Sequence, residues 1–357
     1  MTSRRALLCG YYGCGNAGDE ALLAALLQML PVEIEPVVLS ANPAQTRALG
    51  VEAHSSRSAF AILRALNAAD AFIWGGGSLI QDATSWRSPL YYCSLMALAQ
   101  KRGLKTIAWA QGIGPINLPL TRWVARQTFA HCTAVSVRDR VSAQLLAEWE
   151  IPAAIAPDPV WALESKSLKG LLDLPVPRVA VTLRAHPLLT PERLQTLIAA
   201  LVNFQKATRT CVLAVPFQPE RDRAIAEAIV STVPNAHLVS TTDPRELKGV
   251  FRGVELAIGM RLHSLIAAAA AGCRCFALSY DPKIDRLRTE LNLPGWKLDE
   301  LPEDAATMAT TWLDFYANGN ALTPMQVQSL SDRAGIHREV LLRVFADDDF
   351  PSFSTDI

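Results

Sequence analysis

What the 357-residue sequence lacks narrows its function first. Neither charge sign is in excess: 34 Lys+Arg stand against 34 Asp+Glu, a formal net charge of zero. A nucleic-acid binder carries a basic excess or stripe; none is legible here, so no nucleic-acid partner is expected. Long hydrophobic runs are missing as well. The longest run of small apolar residues, Leu265 to Ala271, falls far short of the roughly 18–20 residues a bilayer span needs. The N-terminus is not expected to be a signal peptide, because Arg4 and Arg5 precede only Ala6 to Cys9 before glycines intervene. No basic or amphipathic membrane face is legible, so any association with an envelope is expected to be peripheral. The seven cysteines include no CxxC pair, which points to reduced thiols in the cytoplasm rather than a disulfide frame or a zinc site. Cys273 and Cys275 flank Arg274 in a strand-like stretch, so they share a face and are expected to be buried. The apolar share of 50% against 19% charged residues excludes a disordered or fibrous chain.

What is present is strand–helix alternation, in a chain longer than one core usually holds. Short apolar runs punctuated by glycine at Ala6–Gly10, Pro36–Ser40, Ala71–Trp74, Thr106–Ala110 and Ala134–Val137 suit parallel strands covered on both faces. Helices are expected over Glu20–Leu30, Leu90–Arg102 and Ser142–Trp149. The pattern breaks around Pro157–Pro177 and then restarts. Val179–Arg184, Cys211–Phe217, His237–Ser240, Glu255–Gly259 and Cys273–Ser279 are strand-like. Between the first two, Leu194, Leu197, Ile198, Leu201 and Val202 recur with helical period. The expected fold class is α/β, with two Rossmann-like parallel-sheet domains facing across a cleft. The expected division is residues 1–165, a linker at 166–177, a second domain at 178–320, and a C-terminal helix with an acidic tail at 321–357. Asp347, Asp348 and Asp349 in that tail read as solvated charge, with an acidic metal site as the alternative.

In open α/β sheets ligands gather beyond the carboxyl ends of the strands. The first strand runs into Gly13, Gly15 and Gly18, a GxGxxG spacing in the setting a dinucleotide loop requires. Two features argue against NAD. The second strand ends Val38-Leu39-Ser40-Ala41 without an acid to hold a ribose, and Asp19 and Glu20 occupy the helix start where a pyrophosphate would sit. Two readings stay open beside it: a tight turn that needs glycine, and sugar contacts by Asn16, Asp19 and Glu20. A second glycine loop, Gly75-Gly76-Gly77-Ser78, leads to Gln81, Asp82 and Thr84; a third is Gln111-Gly112-Ile113-Gly114-Pro115. Three such loops leave backbone exposed at one rim. Arg138-Asp139 ends a further strand, either as a local ion pair or as ligand contacts.

The second half places cations at strand ends. Arg184 closes one strand, Arg261 and His263 open the helix that begins at Ser264, and Lys283 follows Asp281-Pro282. Cations at a helix start oppose the macrodipole by a few tenths of a kcal/mol. A bound anion would account for them, since charge-assisted hydrogen bonds contribute about 1.5–3 kcal/mol each. The alternative is that Arg261 pairs with Glu255 or Asp285 and His263 is a satisfied core histidine.

With these residues in view, the chain resembles the polysaccharide pyruvyl transferase family, specifically its CsaB type of bacterial cell-envelope biosynthesis. The segments that carry the resemblance are Gly10–Leu22, Gly75–Asp82, Thr84–Tyr92, Gln111–Pro115, Ser136–Asp139, Gly259–Ser264 and Ser279–Lys283. The resemblance implies a fold like the GT-B glycosyltransferases, phosphoenolpyruvate as co-substrate, and a glycan or lipid-linked sugar as acceptor. It implies an acceptor side in the first domain and a donor side in the second. Arg184, Arg261, His263 and Lys283 then fall where the family binds and activates its donor, with Ser264 beside them. Asn16, Asp19, Glu20, Gly76, Gly77, Asp82 and Arg138 line the other side. The donor's carboxylate and phosphate match two arginines and a lysine. His263 is expected to be the acid that protonates the methylene carbon, and Asp19, Glu20 or Asp82 the base. No cofactor and no essential metal are expected. Two rival readings are a nucleotide-sugar glycosyltransferase and a non-catalytic binding protein for a phosphorylated ligand.

Overall fold

The computed structural model describes residues 4–83 and 85–346, so Thr84 and the acidic run Asp347 to Asp349 lie outside the described residues. The chain divides into two compact units. One comprises residues up to Cys14, Asp19–Leu163, and the chain from Leu330 onward; the other comprises Gly15–Gly18 and Glu164–Ser329.

The first unit holds β1 (Arg4–Cys9), β2 (Ile34–Ser40), β3 (Glu52–Ser55), β4 (Ala71–Trp74), β5 (Lys105–Gln111), β6 (Ala134–Val137) and β7 (Ala154–Ile155). They form one sheet in the order β3-β2-β1-β4-β5-β6-β7, and every pairing is parallel. Leu7, Leu8, Val38, Ile73, Trp74, Ile107 and Trp109 are fully buried. Helices on both faces cover these strands, which is why they read as unbroken apolar runs and not as alternation. The strand order reverses between β1 and β4, the switch point beyond whose carboxyl ends ligands gather in such sheets.

The end of the chain returns to this sheet. In the helix Ile336–Phe345, Val344 and Phe345 present carbonyls to Lys105 Nζ (2.8 Å) and Arg4 Nη1 (2.7 Å). Trp109 Nε1 donates to the His337 carbonyl at 3.0 Å. The His337 side chain is wholly buried, 3.0 Å from Ser136 Oγ through Nδ1 and 3.0 Å from the Pro157 carbonyl through Nε2. A carbonyl only accepts, so Nε2 carries the proton and Nδ1 accepts from the Ser136 hydroxyl. Burial pushes this imidazole down to about 4, so it is neutral at neutral pH.

The second unit holds β8 (Arg178–Thr182), β9 (Cys211–Ala214), β10 (Ala236–Leu238), β11 (Val254–Gly259), β12 (Arg274–Ser279) and β13 (Gly295–Lys297). Their order is β10-β9-β8-β11-β12-β13, again wholly parallel, with the reversal between β8 and β11. The helix Pro191–Thr208 buries Leu197, Ile198 and Leu201 against the sheet, with Leu194 and Val202 partly covered. Cys273 and Cys275 are both buried. The chain crosses from the first unit to the second between Leu163 and Glu164. From Asp158 to Pro177 its regular structure is a 3-10 turn, Pro159–Trp161. The edge strands β3, β7 and β13 have no counterpart in the sequence reading.

Candidate active site

In the first unit the loop after β1 is shaped by glycine and by one folded-back carboxylate. Gly13 takes φ +74°, and a Cβ there would run into Ser40 Oγ and the Asn42 backbone. Glu20 lies in the first turn of the helix Ala17–Met29, and its Oε1 accepts the Gly13 N–H at 2.8 Å. Burial pushes the Glu20 carboxyl up to about 7; the Gly13 N–H opposes that rise and the Asp19 charge adds to it. Tyr12 is buried with its hydroxyl unpaired, in space that exists because Gly75 has no side chain. The loops after β1, β4 and β5 meet. A Cβ on Gly77 would lie 3.4 Å from Asp19 Oδ1, Gly112 N–H donates to the Gly77 carbonyl at 2.7 Å, and Gln111 Nε2 donates to the Gly75 carbonyl at 2.6 Å. Gly76 packs against Leu22.

Two expected ligands in this unit are engaged in holding the fold. Asp82 accepts the backbone N–H groups of Asn117 (2.7 Å) and Leu118 (2.8 Å). Desolvation works against its charged form, but those N–H groups outweigh it and hold the carboxyl below the usual range. Arg138 pairs with Asp158 at 2.6 Å, both side chains 6% exposed, and reaches Ser78 Oγ at 3.2 Å. Its neighbour Asp139 caps the helix Arg140–Glu148 through the Ser142 N–H.

In the second unit the loops after β9, β8, β11 and β12 bring the cations to one rim, because those strands are adjacent. Arg184, just past β8, donates through Nη1 to the Tyr280 hydroxyl at 2.6 Å and lies 4.9 Å from that ring's centroid. Its Nε is buried without a hydrogen-bond partner. His186 packs against Tyr280, 4.6 Å away between centroids. His186 Nδ1 accepts the Leu188 N–H at 3.2 Å, so the neutral ring carries its proton on Nε2. Partial burial and the Arg184 charge push its pKa down, against a raising contribution from Asp281.

Arg261 departs from the sequence reading. Its guanidinium forks onto Asp222, with Nη2 2.6 Å from each carboxylate oxygen, and touches Gln218 Oε1 at 3.4–3.5 Å. Asp222 is fully buried and also accepts the Gln218 N–H at 2.9 Å. The partner is therefore neither Glu255, which accepts from the Tyr316 hydroxyl, nor Asp285, which pairs with Arg288. The cation at this helix start is offset by the chain's own carboxylate. Ser264 is likewise engaged: its hydroxyl donates to the Arg261 carbonyl at 2.7 Å and lies 2.7 Å from Thr182 Oγ1.

His263 stands in the first turn of the helix Leu262–Ala270, half-buried. Gly18 presses on it so closely that a Cβ there would run into Nδ1. The Gly15–Gly18 segment is held in this unit by the Ala17 N–H, which donates to the Phe217 carbonyl at 2.8 Å, while Asn16 Oδ1 accepts the Gly18 N–H at 3.2 Å. Lys283, half-buried, opens the helix Pro282–Leu291, and Asp281 caps that helix by accepting the Lys283 N–H at 2.9 Å.

Sequence reasoning passed over His186, Tyr280, Gln218 and Asp222. His186 and Tyr280 had a signal, lying within two residues of Arg184 and three of Lys283. Asp222 had none, since only the fold brings it to Arg261. Among the described residues no group of three His, Cys, Asp or Glu side chains is placed to hold a metal ion.

The model of one protein family, polysaccharide pyruvyl transferase, matches residues 16–282, which span most of both units. The chain belongs to the polysaccharide pyruvyl transferase family. Asn16, Arg184, Arg261 and His263 lie inside the matched span, and Lys283 directly follows it. The fold recurs in sugar-nucleotide enzymes. The UDP-GlcNAc 2-epimerase of Methanocaldococcus jannaschii is 9% identical with a TM-score of 0.66, over 95% of this chain and 99% of that one. A putative UDP-N-acetylglucosamine 2-epimerase from Listeria monocytogenes is 14% identical with a TM-score of 0.64, over 99% of both chains. At such identities the likeness is one of fold, the GT-B-like pairing of two parallel-sheet domains.

Proposed function

We propose that this family member transfers the pyruvyl group of phosphoenolpyruvate to two hydroxyls of a cell-envelope glycan or lipid-linked sugar, forming a cyclic ketal and releasing phosphate. The observation that carries the reading is the set of basic side chains at adjacent strand ends of the second unit: Arg184 beside Tyr280, and Lys283, with the His263 imidazole between their strands. Arg184 meets a neutral hydroxyl and has a buried N–H to spare, so its charge is available to a carboxylate or phosphate. The Tyr280 oxygen accepts from Arg184, which leaves its O–H to donate to the same anion. Arg261 is assigned a different part from the one its charge suggests. Held by Asp222 and Gln218, it sets the start of the helix that carries His263.

The chemistry begins with a proton from His263 to the methylene carbon, which becomes the methyl group and leaves C2 electron-poor. A sugar hydroxyl adds to C2 and gives up its proton. The C2–O bond to phosphate then breaks, and a second hydroxyl closes the ring, its proton leaving with the phosphate. Among the acidic candidates for the base, Glu20 has the most suitable proton affinity, because its pKa sits near 7 while that of Asp82 lies below the usual range. The cytoplasm, where phosphoenolpyruvate is available, is the proposed location.

The test is phosphate release from phosphoenolpyruvate in the presence of a glycan acceptor. His263→Ala is expected to keep donor binding and lose about two to four orders of magnitude in turnover. Undiminished turnover in that variant removes the imidazole from the mechanism. Stabilisation by UDP-sugars with no response to phosphoenolpyruvate would favour the glycosyltransferase reading instead.

A further inference from the structure

Three helices of the first unit follow β3, β4 and β5: Ala59–Asn67, Arg87–Lys101 and Pro119–Ala130. Their crossovers run in the same direction across the sheet, from β3 to β4 to β5 to β6, so right-handed connections place them on one face. Each starts at the carboxyl end of its strand. The three starts are tied together: Tyr91 Oη donates to the Ser56 carbonyl at 2.8 Å, and Asp82 holds the N–H groups of Asn117 and Leu118.

Large apolar side chains stand exposed at all three starts. Phe60 is 77% exposed, Trp86 53% and Trp123 62%, with Leu63, Tyr91 and Leu120 also exposed. Scattered exposed apolar residues are ordinary, but aromatic ones gathered on neighbouring helix starts mark a surface with a partner. The acids bordering this face are engaged: Asp82 holds the Asn117 and Leu118 N–H groups, and Glu148 pairs with Arg122 at 3.0 Å. None of the three helices contains an Asp or Glu. Arg64, Arg87 and Arg126 are exposed on them, and the Arg87 guanidinium lies 5.3 Å from the Trp86 ring centroid.

We infer that this face seats the protein on an anionic lipid surface, with the tryptophans at headgroup depth and the arginines against lipid phosphates. Indole and guanidinium together suit that boundary, where one end of each side chain is apolar and the other wet. With Asp82 and Glu148 engaged by backbone N–H groups and by Arg122, the arginines Arg64, Arg87 and Arg126 leave this face a basic excess toward the negative potential of a membrane. Among the described residues no helix is long and apolar enough to cross a membrane, so the attachment is to the surface. The inference deepens the functional reading by choosing a lipid-linked acceptor, and it rests on that reading only for this choice.

The experiment is flotation of the full chain with phosphatidylcholine vesicles and with vesicles containing phosphatidylglycerol. Binding to the anionic vesicles is expected, falling with added salt, and at least tenfold weaker for Trp86→Ala/Trp123→Ala. A second variant, Arg64→Glu/Arg126→Glu, is expected to lose the preference for anionic vesicles. Both double variants are expected to release phosphate at the wild-type rate with a water-soluble acceptor, which shows that they fold. No flotation with anionic vesicles at low salt would overturn the inference, as would binding unchanged in both variants. A wild-type dimer that the tryptophan variant dissolves would assign the face to a second copy and overturn it too. Failure of wild-type phosphate release with any acceptor counts against the functional reading, and vesicle binding is scored separately.

Discussion

Replacing Glu20 by Gln is expected to reverse a pH-dependent cost built into the first glycine loop. The Gln side chain still offers an oxygen to the Gly13 N–H, so the loop keeps its 2.8 Å bond. What changes is titration. Glu20 is raised from 4.5 to about 7, chiefly by burial. A carboxyl raised in the folded state favours folding when protonated: its contribution is fully present below pH 4.5 and is lost as pH rises through about 7. A rise of that size corresponds to about 3 kcal/mol, since each pKa step is worth about 1.4. His337 works in the opposite sense. Lowered from 6.5 to about 4, it destabilises the fold as pH falls from 6.5 through 4. The two windows overlap between pH 4.5 and 6.5, so wild-type stability alone is ambiguous there. The difference between variant and wild type removes His337, which both share. Urea unfolding from pH 4.5 to 8 should therefore show Glu20→Gln gaining about 3 kcal/mol relative to wild type as pH rises. A difference that stays flat with pH, or that grows toward acid, would refute the reasoning.

Asp222→Asn leaves the buried Arg261 charge without its counter-ion and should cost about 3–5 kcal/mol in urea unfolding; a loss under 1 kcal/mol would mean that water reaches the guanidinium. Arg184→Lys keeps the charge but loses the fork between Tyr280 and a planar anion, so the KM for phosphoenolpyruvate should rise about 10–100-fold, an unchanged KM assigning Arg184 to the fold alone. His337→Gln should remove the loss of stability that wild type shows as pH falls from 6.5 to 4; the variant-minus-wild-type difference in thermal melts at pH 4 and 6, in which Glu20 cancels, measures it, and a difference that does not change between those pH values would place the sensitivity elsewhere.

The architecture was legible because parallel strands buried on both faces leave short apolar runs ended by glycine or serine. Those runs located β1, β2, β4, β5 and β6 to within two residues. Of the edge strands, β10 was read at His237–Ser240, but Ala154–Ile155 has two residues and Gly295–Lys297 three, too few to show a period. The return of the C-terminal helix to the first sheet was invisible for another reason, since His337 meets Ser136 and Pro157 only through the fold. At the site the residue types were legible and their partners were not. Arg184 and Lys283 stand at strand ends as the alternation implied, yet Arg261 is matched by a carboxylate 39 positions away and Arg138 by one 20 away. The exposed aromatics escaped notice because Phe60, Trp86 and Trp123 sit on three separate helices whose starts only the sheet brings together.

Carbon-13 placed at C2 of phosphoenolpyruvate follows the group whose transfer underlies the whole account. After incubation with a glycan acceptor, the label should appear in a quaternary carbon bonded to a methyl group, a carboxylate and two sugar oxygens, with one phosphate released per label incorporated. Label that stays in phosphoenolpyruvate or leaves as free pyruvate, while a nucleotide-sugar is consumed, would contradict it.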